Sequence, residues 1–314
     1  MHRAHAASPN RADAAWQLVC HFVDNFMLDH ENAAVIYCVA AVEYSFGRKF
    51  TMNMFLKIRT PAAIYKEHGF YGIISKLRSR YRLPLPRSAK ARWKSGIESE
   101  IQFWDDYFRT GGLQWADSYG LRLDPDLSLQ PRPAALLPPL QKDVHVLDVG
   151  AGPLTHLGKK CEGKVVSITA IDPLAHEYDR ILDKYQIQPL VRTKCLAAEE
   201  IAKEFPSDTF DLVFARNCID HAYHPETAIR NMIDVVKVGS FVLLEHRPNE
   251  AENENWKGLH QWNFSLSEKG DFLIRSKRKE INMTAKYAAI CTITSEILSE
   301  DADGEWLITR IQKR

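Results

Sequence analysis

Two short apolar strands that end in acids constrain the fold of this chain more than any other feature. Val144–Val149 carries Asp148 near its end and runs into the turn Gly150-Ala151-Gly152-Pro153. A second apolar run, 165–171, ends at Asp172, twenty residues after Gly152. Glycines let a ligand approach the backbone, and an acid ending the second strand can bind ribose hydroxyls. The layout predicts a nucleoside site on an α/β sheet.

Apolar strands alternate with helical patterns through the rest of the chain, which indicates a parallel sheet covered on both faces. The predicted strands are 144–149, 165–171, 189–194, 210–215, 240–245, 287–297 and 305–312, and the predicted helices are 154–161, 175–185, 197–204 and 225–237. The link 299–304 is too short for a helical crossover, so the last strand must run antiparallel to its neighbour. We therefore expect an α/β, doubly wound, seven-stranded and mostly parallel sheet.

The charge distribution separates the amino-terminal part from this sheet. Residues 48–94 contain thirteen lysines and arginines and one acid, Glu67. We predict a basic, mainly helical accessory region over 1–94, with a helix or two over 61–83 and residues 1–50 as candidates for poor order. Residues 95–139 are predicted to form a helical lid, with a helix over 95–109, and a proline-rich connection. The cofactor-binding domain then spans 140–314.

The turn after the first strand favours one nucleoside cofactor over another. A dinucleotide turn needs a third glycine where this chain has Thr155, and Pro153 lacks an amide that a pyrophosphate would use. Pro153 also suits the first position of a helix. Asp148 would repel phosphates but would suit a cationic amino group. These residues favour S-adenosylmethionine over NAD.

The same residues carry a resemblance to the class I S-adenosylmethionine-dependent methyltransferases. VLDVGAGP, at 146–153, and ITAIDP, at 168–173, resemble that family's first two motifs, and 196–201 and 210–221 resemble the third and fourth. The resemblance covers about 143–314 and implies a Rossmann-like methyltransferase fold. It departs from the family at Ala197, where an acid often binds the adenine. The cofactor-binding residues it implies are Asp148, Gly150, Ala151, Gly152, Pro153, Asp172, Ala198, Glu199, Arg216 and Asn217.

Three histidines are candidates for the base that a hydroxyl acceptor would require. Methylating a neutral hydroxyl requires removal of its proton, and histidine titrates in the appropriate range. His221 follows the fourth strand, His246 ends the fifth, and His260 lies in the aromatic-rich segment beyond it. We rank them in that order. The cysteines and histidines show no zinc spacing, so we expect no metal.

The acceptor is less constrained than the cofactor. Segments 242–246 and 258–264 resemble bacterial methyltransferases encoded with surface-glycan pathways, which implies a sugar hydroxyl on a small or lipid-linked glycan. The alternatives are an RNA or small-metabolite acceptor, and a non-catalytic cofactor-binding module. Without a secretory signal or a long apolar run, we expect a cytoplasmic protein. The basic segment 57–94 suggests peripheral binding to an anionic membrane at its inner face, in preference to nucleic acid.

Overall fold

A computed structural model describes residues 89–94, 96–300 and 304–314. The chain divides into two units, Met1–Lys76 and Leu77–Arg314, and all the described residues belong to the second. The predicted helix over 61–83 and the predicted poor order of 1–50 lie outside the described residues. Of the basic segment 57–94, only helix α1, Ala89–Lys94, is described. Within the described ranges, no helix has both the length and the apolar content needed to cross a bilayer.

A seven-stranded sheet forms the centre of the second unit and confirms the predicted fold class. Its order is β3-β2-β1-β4-β5-β10-β9, and β10 alone runs antiparallel to its neighbours, β5 and β9. The strands are β1 (Asp143–Val149), β2 (Val165–Asp172), β3 (Lys194–Cys195), β4 (Phe210–Arg216), β5 (Val236–His246), β9 (Cys291–Glu300) and β10 (Gly304–Lys313). Because β1 lies between β2 and β4, the chain changes direction across the sheet at β1, where such folds place their ligands.

Helices and loops cover the sheet. The helices are α2 (Ile97–Thr110), α3 (Ala116–Leu123), α4 (Pro131–Ala135), α5 (Ala175–Lys184), α6 (Ile201–Glu204), α7 (Pro225–Val235), α8 (Glu250–Asn253) and α9 (Met283–Tyr287). One buried cluster joins α7 to one face of the sheet, through residues such as Val213 and Ile229. A second cluster, with Phe214 and Leu129, packs the segment before β1 on the other face. A third joins α2 to α5 through Trp104 and Tyr178.

The predicted helix over 154–161 is wrong. This segment pairs with the stretch before α4: the Leu129 amide donates to the Lys160 carbonyl at 2.6 Å, and Ser128 and Lys160 form a parallel bridge. A side chain at Gly158 would lie 2.1 Å from the Ser128 carbonyl oxygen. Pro153 therefore starts no helix, and a loop covers the sheet between β1 and β2.

Two strand predictions also differ from the structure. Only the last residue of the predicted strand 189–194 is extended, since β3 is Lys194–Cys195. The predicted strand 287–297 begins later, at Cys291, because helix α9 takes up the residues before it. Asn282 caps α9 by accepting a hydrogen bond from the Ala285 amide.

A second, three-stranded antiparallel sheet lies in the insertion between β5 and β9, and we did not predict it. Its order is β6 (Asn263–Leu266), β7 (Phe272–Arg275) and β8 (Glu280–Asn282). Phe264 and Phe272 are buried and join the main core, with ring centroids 5.4 Å apart. The insertion is thereby fixed beside the carboxyl end of β5.

Candidate active site

The turn after β1 has the backbone conformation that only glycine adopts without strain. Gly150 and Gly152 have φ of 67° and 63°. The amides of Gly150 and Ala151 both donate to the Ile171 carbonyl, at 2.8 and 3.1 Å. The turn therefore folds back onto the end of β2, next to Asp172.

Both glycines are also closely packed. A Cβ on Gly150 would lie 2.5 Å from the Cys218 sulfur, and one on Gly152 would lie 2.7 Å from Cζ2 of Trp104. Cys218 belongs to the loop after β4, and Trp104 belongs to α2. The turn is thus enclosed by the β4 loop and by α2, and any larger residue would displace one of them.

Asp172 lies at the end of β2 with both carboxylate oxygens held by backbone. Oδ2 accepts from the Gly152 amide at 3.2 Å, and Oδ1 accepts from the Leu174 amide at 2.9 Å. Burial, aided by the charge of Glu100, raises the pKa of the Asp172 carboxyl to about 7. An ionised carboxylate has about four lone-pair sites, so two amides leave capacity for two ribose hydroxyls.

Asp148 is buried beneath the turn. Its Oδ2 accepts a hydrogen bond from the Thr155 hydroxyl. Burial raises the pKa of the Asp148 carboxyl to about 7, although the Thr155 hydrogen bond and the charge of Arg122 oppose the shift. Arg122 itself donates to the Leu154 carbonyl at 2.6 Å. Thr155, which in the sequence only breaks the dinucleotide pattern, is therefore the partner of Asp148.

The remaining predicted cofactor residues are tied to neighbouring elements. The Ala198 carbonyl accepts from Asn231 Nδ2 at 3.3 Å, and Glu199 Oε1 accepts from the His224 amide at 2.9 Å. Arg216 and Asn217 follow β4 but engage β5: Arg216 pairs with the Glu245 carboxylate, and the Asn217 amide donates to the Glu245 carbonyl at 2.7 Å. The structure brings Ala151, Pro153 and Asp172 to the glycine turn, and Arg216 to the neighbouring rim.

The three candidate histidines converge on one buried carboxylate, Asp220. His221 Nε2 lies 3.4 Å and His260 Nδ1 lies 3.5 Å from Asp220 Oδ2, and His246 Nε2 lies 4.0 Å from Oδ1. His221 Nε2 and His260 Nδ1 also form a hydrogen bond of 3.1 Å, so one of the two nitrogens carries a proton and the other accepts it. This arrangement is a buried acid surrounded by imidazoles.

The environment differs among the three histidines. The side chains of His221 and His260 are 17% and 25% exposed, whereas that of His246 is 2% exposed. Burial lowers the pKa of His246 to about 4, and its Nε2 accepts the Ile219 amide at 3.1 Å. Burial would also lower the pKa of His260, but the Asp220 carboxylate outweighs this and raises it. Only His221 and His260 can therefore reach a substrate.

Asp220 and Glu250 are both buried acids at this cluster. Burial would raise the pKa of Asp220, yet the neighbouring histidines lower it. The distances from its oxygens to the histidine nitrogens exceed the usual hydrogen-bond length, so electrostatic attraction rather than short hydrogen bonds stabilises the Asp220 carboxylate. Burial and the Asp220 charge raise the pKa of Glu250. One ligand atom each from Asp220, His221 and His260 lie within 4.8 Å of one another, so these residues could also hold a cation.

The histidine cluster is adjacent to the cofactor turn. Cys218, three residues before His221, packs on Gly150 and lies 3.0 Å from the Val149 carbonyl. Besides burial, the charge of Glu100 raises the pKa of Asp172. Helix α2 contributes Glu100, whose Oε2 lies 3.9 Å from His221 Nδ1. A ligand bound at the turn would therefore extend toward the imidazole pair.

A family model described as a methyltransferase domain matches residues 147–244, from β1 through most of β5. The chain carries a methyltransferase domain. The match spans the glycine turn, Asp172 and the loop that holds Asp220 and His221. Together with the sheet order it confirms the prediction of a class I S-adenosylmethionine-dependent methyltransferase, with S-adenosylmethionine as the cofactor.

Solved structures with a similar fold include methyltransferases at low identity. One, described as a methyltransferase and solved in complex with the Haloferax volcanii Trm112 methyltransferase activator, is 14% identical, with 67% of this chain and 97% of that chain covered and a TM-score of 0.46. The 1,6-didemethyltoxoflavin-N1-methyltransferase of Burkholderia thailandensis is 14% identical, with 74% and 93% covered and a TM-score of 0.40. No curated protein matches the chain.

The residues at the turn fit the cofactor of this methyltransferase. S-Adenosylmethionine carries a ribose, a sulfonium and an ammonium group, and the turn offers the buried acid Asp172 for the ribose and the buried acid Asp148 for positive charge. The Trp104 ring of α2 packs against Gly152, where a Cβ would lie 2.7 Å from Cζ2. When bound, the cofactor supplies an electrophilic methyl group.

Sequence reasoning did not identify Asp220, Thr155 or Glu100 as site residues. Asp220 was detectable as an acid directly before a candidate histidine, in an otherwise uncharged loop. Thr155 and Glu100 gave no signal, because their roles depend on a loop and a helix folding back over the turn.

Proposed function

We propose that this methyltransferase transfers a methyl group to an oxygen of a small or glycan substrate, a sugar hydroxyl, with a histidine as the general base. The observation that supports it most strongly is the His221–His260 pair on Asp220, beside the cofactor turn. A neutral hydroxyl must lose its proton as the new C–O bond forms, and a polarised imidazole can take it. An acceptor that was already an anion would have no proton to lose and would not require such a pair.

Each residue of the cluster has a distinct part in this mechanism. His221 or His260 takes the proton from the acceptor hydroxyl, and the hydrogen bond between them passes it from one ring to the other. Asp220 stabilises the imidazolium that forms, since a buried carboxylate favours the charged ring. His246 is buried and holds the Ile219 amide, so it positions the loop. Asp172 orients the ribose.

The ring-bearing residues of the insertion after β5 differ in burial, and only the half-buried ones are candidates for contact with the acceptor. Phe264 is buried against His246, with ring centroids 4.6 Å apart, and belongs to the core. His260 and Trp262 are half-buried, and Trp262 packs against the main core. We propose that a sugar stacks against His260 and Trp262, while Phe264 anchors the insertion in the core.

The mechanism is tested by turnover of S-adenosylmethionine with glycan acceptors. We expect His260→Asn and Asp220→Asn each to lower kcat by about 100-fold, the lower end of what a general base contributes, while cofactor affinity stays unchanged. His145→Asn is the matched control, because His145 is exposed on β1, away from the rim. Equal effects of the His260 and His145 substitutions on kcat would contradict the base assignment.

The alternatives make different predictions in the same assay. An RNA acceptor would bind with an affinity that falls steeply with salt, whereas a neutral sugar would show little salt dependence. A small-metabolite acceptor would be turned over without a glycan. A non-catalytic module would bind the cofactor and leave it unreacted with every acceptor. Loss of activity on chelation would indicate that the cluster acts through a cation instead of a free base.

We further propose that the protein works in the cytoplasm, peripherally at the inner face of the membrane, where a lipid-linked glycan would be presented. The basic composition of 57–94 supports this location, since polybasic segments bind anionic lipid. We expect the full chain to float with phosphatidylserine vesicles and the Arg78→Gln/Arg80→Gln/Arg82→Gln variant to float less. Removing three exposed arginines elsewhere, Arg109, Arg180 and Arg192, is the matched control. Equal flotation of the two variants would contradict the proposal.

A further inference from the structure

Three side-chain atoms of the histidine cluster are separated by the distances found between the ligands of one bound cation. His221 Nε2 lies 3.1 Å from His260 Nδ1, and Asp220 Oδ2 lies 3.4 Å from the first nitrogen and 3.5 Å from the second. Ligands bound to a tetrahedral zinc ion are about 3.3 Å from one another. The neighbouring ligands of an octahedral magnesium ion are closer, at about 2.9 Å. The three atoms therefore outline one face of a tetrahedral cation site.

The Asp220 carboxylate lacks the hydrogen bonds that a buried acid normally has. Its side chain is 3% exposed, and neither oxygen accepts a hydrogen bond of ordinary geometry from a described residue. Glu250, the second acid at this cluster, likewise has a buried Oε2 without such a partner among the described residues. Buried polar atoms are nearly always paired, and an exception calls for a specific explanation such as a bound ion. These oxygens indicate a positively charged ligand.

The other ring nitrogen of His221 faces a carboxylate on α2. His221 Nδ1 lies 3.9 Å from Glu100 Oε2, and Trp104 Nε1 donates to Glu100 Oε1 at 2.9 Å. A metal-bound imidazole usually donates its second N–H to a carboxylate, a carbonyl or water, which fixes the tautomer and orients the ring. Glu100 is therefore a positioning residue for a cation bound at His221 Nε2.

The ligand types favour a transition cation over magnesium or calcium. Imidazole suits zinc and its neighbours in the first row, whereas magnesium and calcium take oxygen ligands. His246 adds no further ligand through Nε2, because that nitrogen accepts the Ile219 amide at 3.1 Å. The side chains of His221 and His260 are 17% and 25% exposed, so the outer side of the site is open to a fourth ligand. Zinc sites with three protein ligands keep such a position for water or substrate.

We propose that Asp220, His221 and His260 bind a divalent transition cation such as Zn²⁺, and that this cation and the acceptor's proton exclude each other. The exclusion rests on the proposed function, in which His221 or His260 takes that proton. A cation and a proton compete for the same nitrogen lone pairs, because a ligating histidine must be neutral. The cation is then an inhibitor of methyl transfer. Local spacing in the sequence does not reveal the site, since His221 and His260 are 39 positions apart.

Binding is tested by calorimetry with Zn²⁺ and by the visible absorption of Co²⁺, each titrated into the metal-free full chain without acceptor. We expect one tight equivalent, an affinity about 100-fold lower in His260→Asn and in Asp220→Asn, and about tenfold lower in Glu100→Gln. His145→Asn, at an exposed histidine of β1, is the matched control. Unchanged S-adenosylmethionine affinity in His260→Asn and Asp220→Asn verifies that both are folded. No saturable binding, or equal Zn²⁺ affinities of His260→Asn and His145→Asn, overturns the site.

Inhibition is measured separately, in turnover of a hydroxyl acceptor. We expect saturating Zn²⁺ to lower kcat by about 100-fold, with a midpoint that matches the calorimetric Kd, and a chelator to restore it. Undiminished turnover with the site filled would overturn the exclusion and the base assignment together. Loss of turnover on chelation would also overturn the exclusion, because the cation would then take part in the reaction. A failure of Zn²⁺ to bind, in contrast, overturns the cation site alone and leaves the base assignment standing.

Discussion

The two acids of the cofactor site, Asp148 and Asp172, are both buried. Burial raises the pKa of each carboxyl from 3.8 to about 7. Between these values the folded protein keeps protons that the unfolded chain has lost. Stability therefore falls as pH rises from about 4 to 7. Ionising these two buried carboxyls therefore destabilises the folded protein.

The Asp148→Asn variant tests this linkage. The Asn carbonyl can still accept the Thr155 hydroxyl, so the variant removes the charge with little change in packing. We expect it to be more stable than the parent by about 4 kcal/mol at pH 8 and nearly equal at pH 4, as determined by urea unfolding. S-Adenosylmethionine should bind it less tightly. Asp143→Asn, at the exposed start of the same strand, is the control, and parallel pH profiles for Asp148→Asn and parent would contradict the linkage.

Alanine substitutions at two glycines with similar φ separate the cost of backbone strain from the cost of a steric clash. Gly150 and Gly163 have φ of 67° and 69°, but a Cβ at Gly163 would meet nothing within 4 Å, whereas one at Gly150 would lie 2.5 Å from Cys218. We expect Gly163→Ala to cost about 1 kcal/mol of unfolding free energy and Gly150→Ala about 3 kcal/mol, with loss of cofactor binding only in the latter. Equal costs in chemical unfolding would show that Cys218 moves aside freely.

At the residue scale, the sequence predicted those positions whose roles depend on local backbone. Gly150, Gly152 and Asp172 follow directly from a strand ending in a glycine turn, and the structure places them together. For His221 and His260, which are 39 positions apart, the sequence predicted a location on the same rim of the sheet but not their hydrogen bond. The carboxylate between them was not foreseen, because its role depends on how the β5 insertion folds.

Among the elements, α2 has the most direct bearing on the cofactor. Trp104 packs against Gly152, and Glu100 lies beside Asp172 and His221. At its other end, Gly96 lies against the Gly258 backbone of the insertion, where a Cβ would be 2.6 Å from the carbonyl carbon. Helix α2 therefore covers both the glycine turn and the approach to the histidines. The predicted lid over 95–139 stays a prediction, but these contacts support it.

Hydrogen exchange tests whether α2 moves when the cofactor binds. Because the Trp104 ring lies where the ligand must approach Gly152, we expect saturating S-adenosylmethionine to change the exchange rates of α2 amides by about tenfold, and those of α7 amides by much less. Mass spectrometry of peptides covering 97–110 and 225–235 provides the comparison. Unchanged rates in α2, with binding verified by calorimetry, would show that it is a fixed wall.

Element predictions failed where long-range pairing overrode the local pattern. The apolar spacing of 154–161 is helical, but Thr155 bonds to Asp148 and the segment pairs with the stretch before α4. The run at 189–194 was predicted as a strand, yet only its last residue, Lys194, pairs with the sheet edge. In both cases the deciding contacts come from residues more than five positions away, which periodicity does not register.

The sheet order of the whole molecule was predictable because it follows from simple rules of connection. Apolar strands separated by helices imply parallel pairing, and a link too short for a crossover requires the antiparallel β10. The small sheet β6-β7-β8 was not predicted, because its strands of three and four residues are too short to show a clear alternating pattern. Its position beside His246 is what brings His260 to the site.

The division of the chain into Met1–Lys76 and Leu77–Arg314 predicts that methyl donor binding resides in the second unit. All three buried clusters of the described residues are built from Trp93 onward. We expect a fragment beginning at Leu77 to keep S-adenosylmethionine affinity within about twofold of the full chain, because the glycine turn, Asp148 and Asp172 all lie in the second unit. Its thermal midpoint in the presence of cofactor should match that of the full chain. Calorimetry on both proteins provides the measurement, and a fragment that folds but binds S-adenosylmethionine ten times more weakly would show that residues 1–76 complete the site.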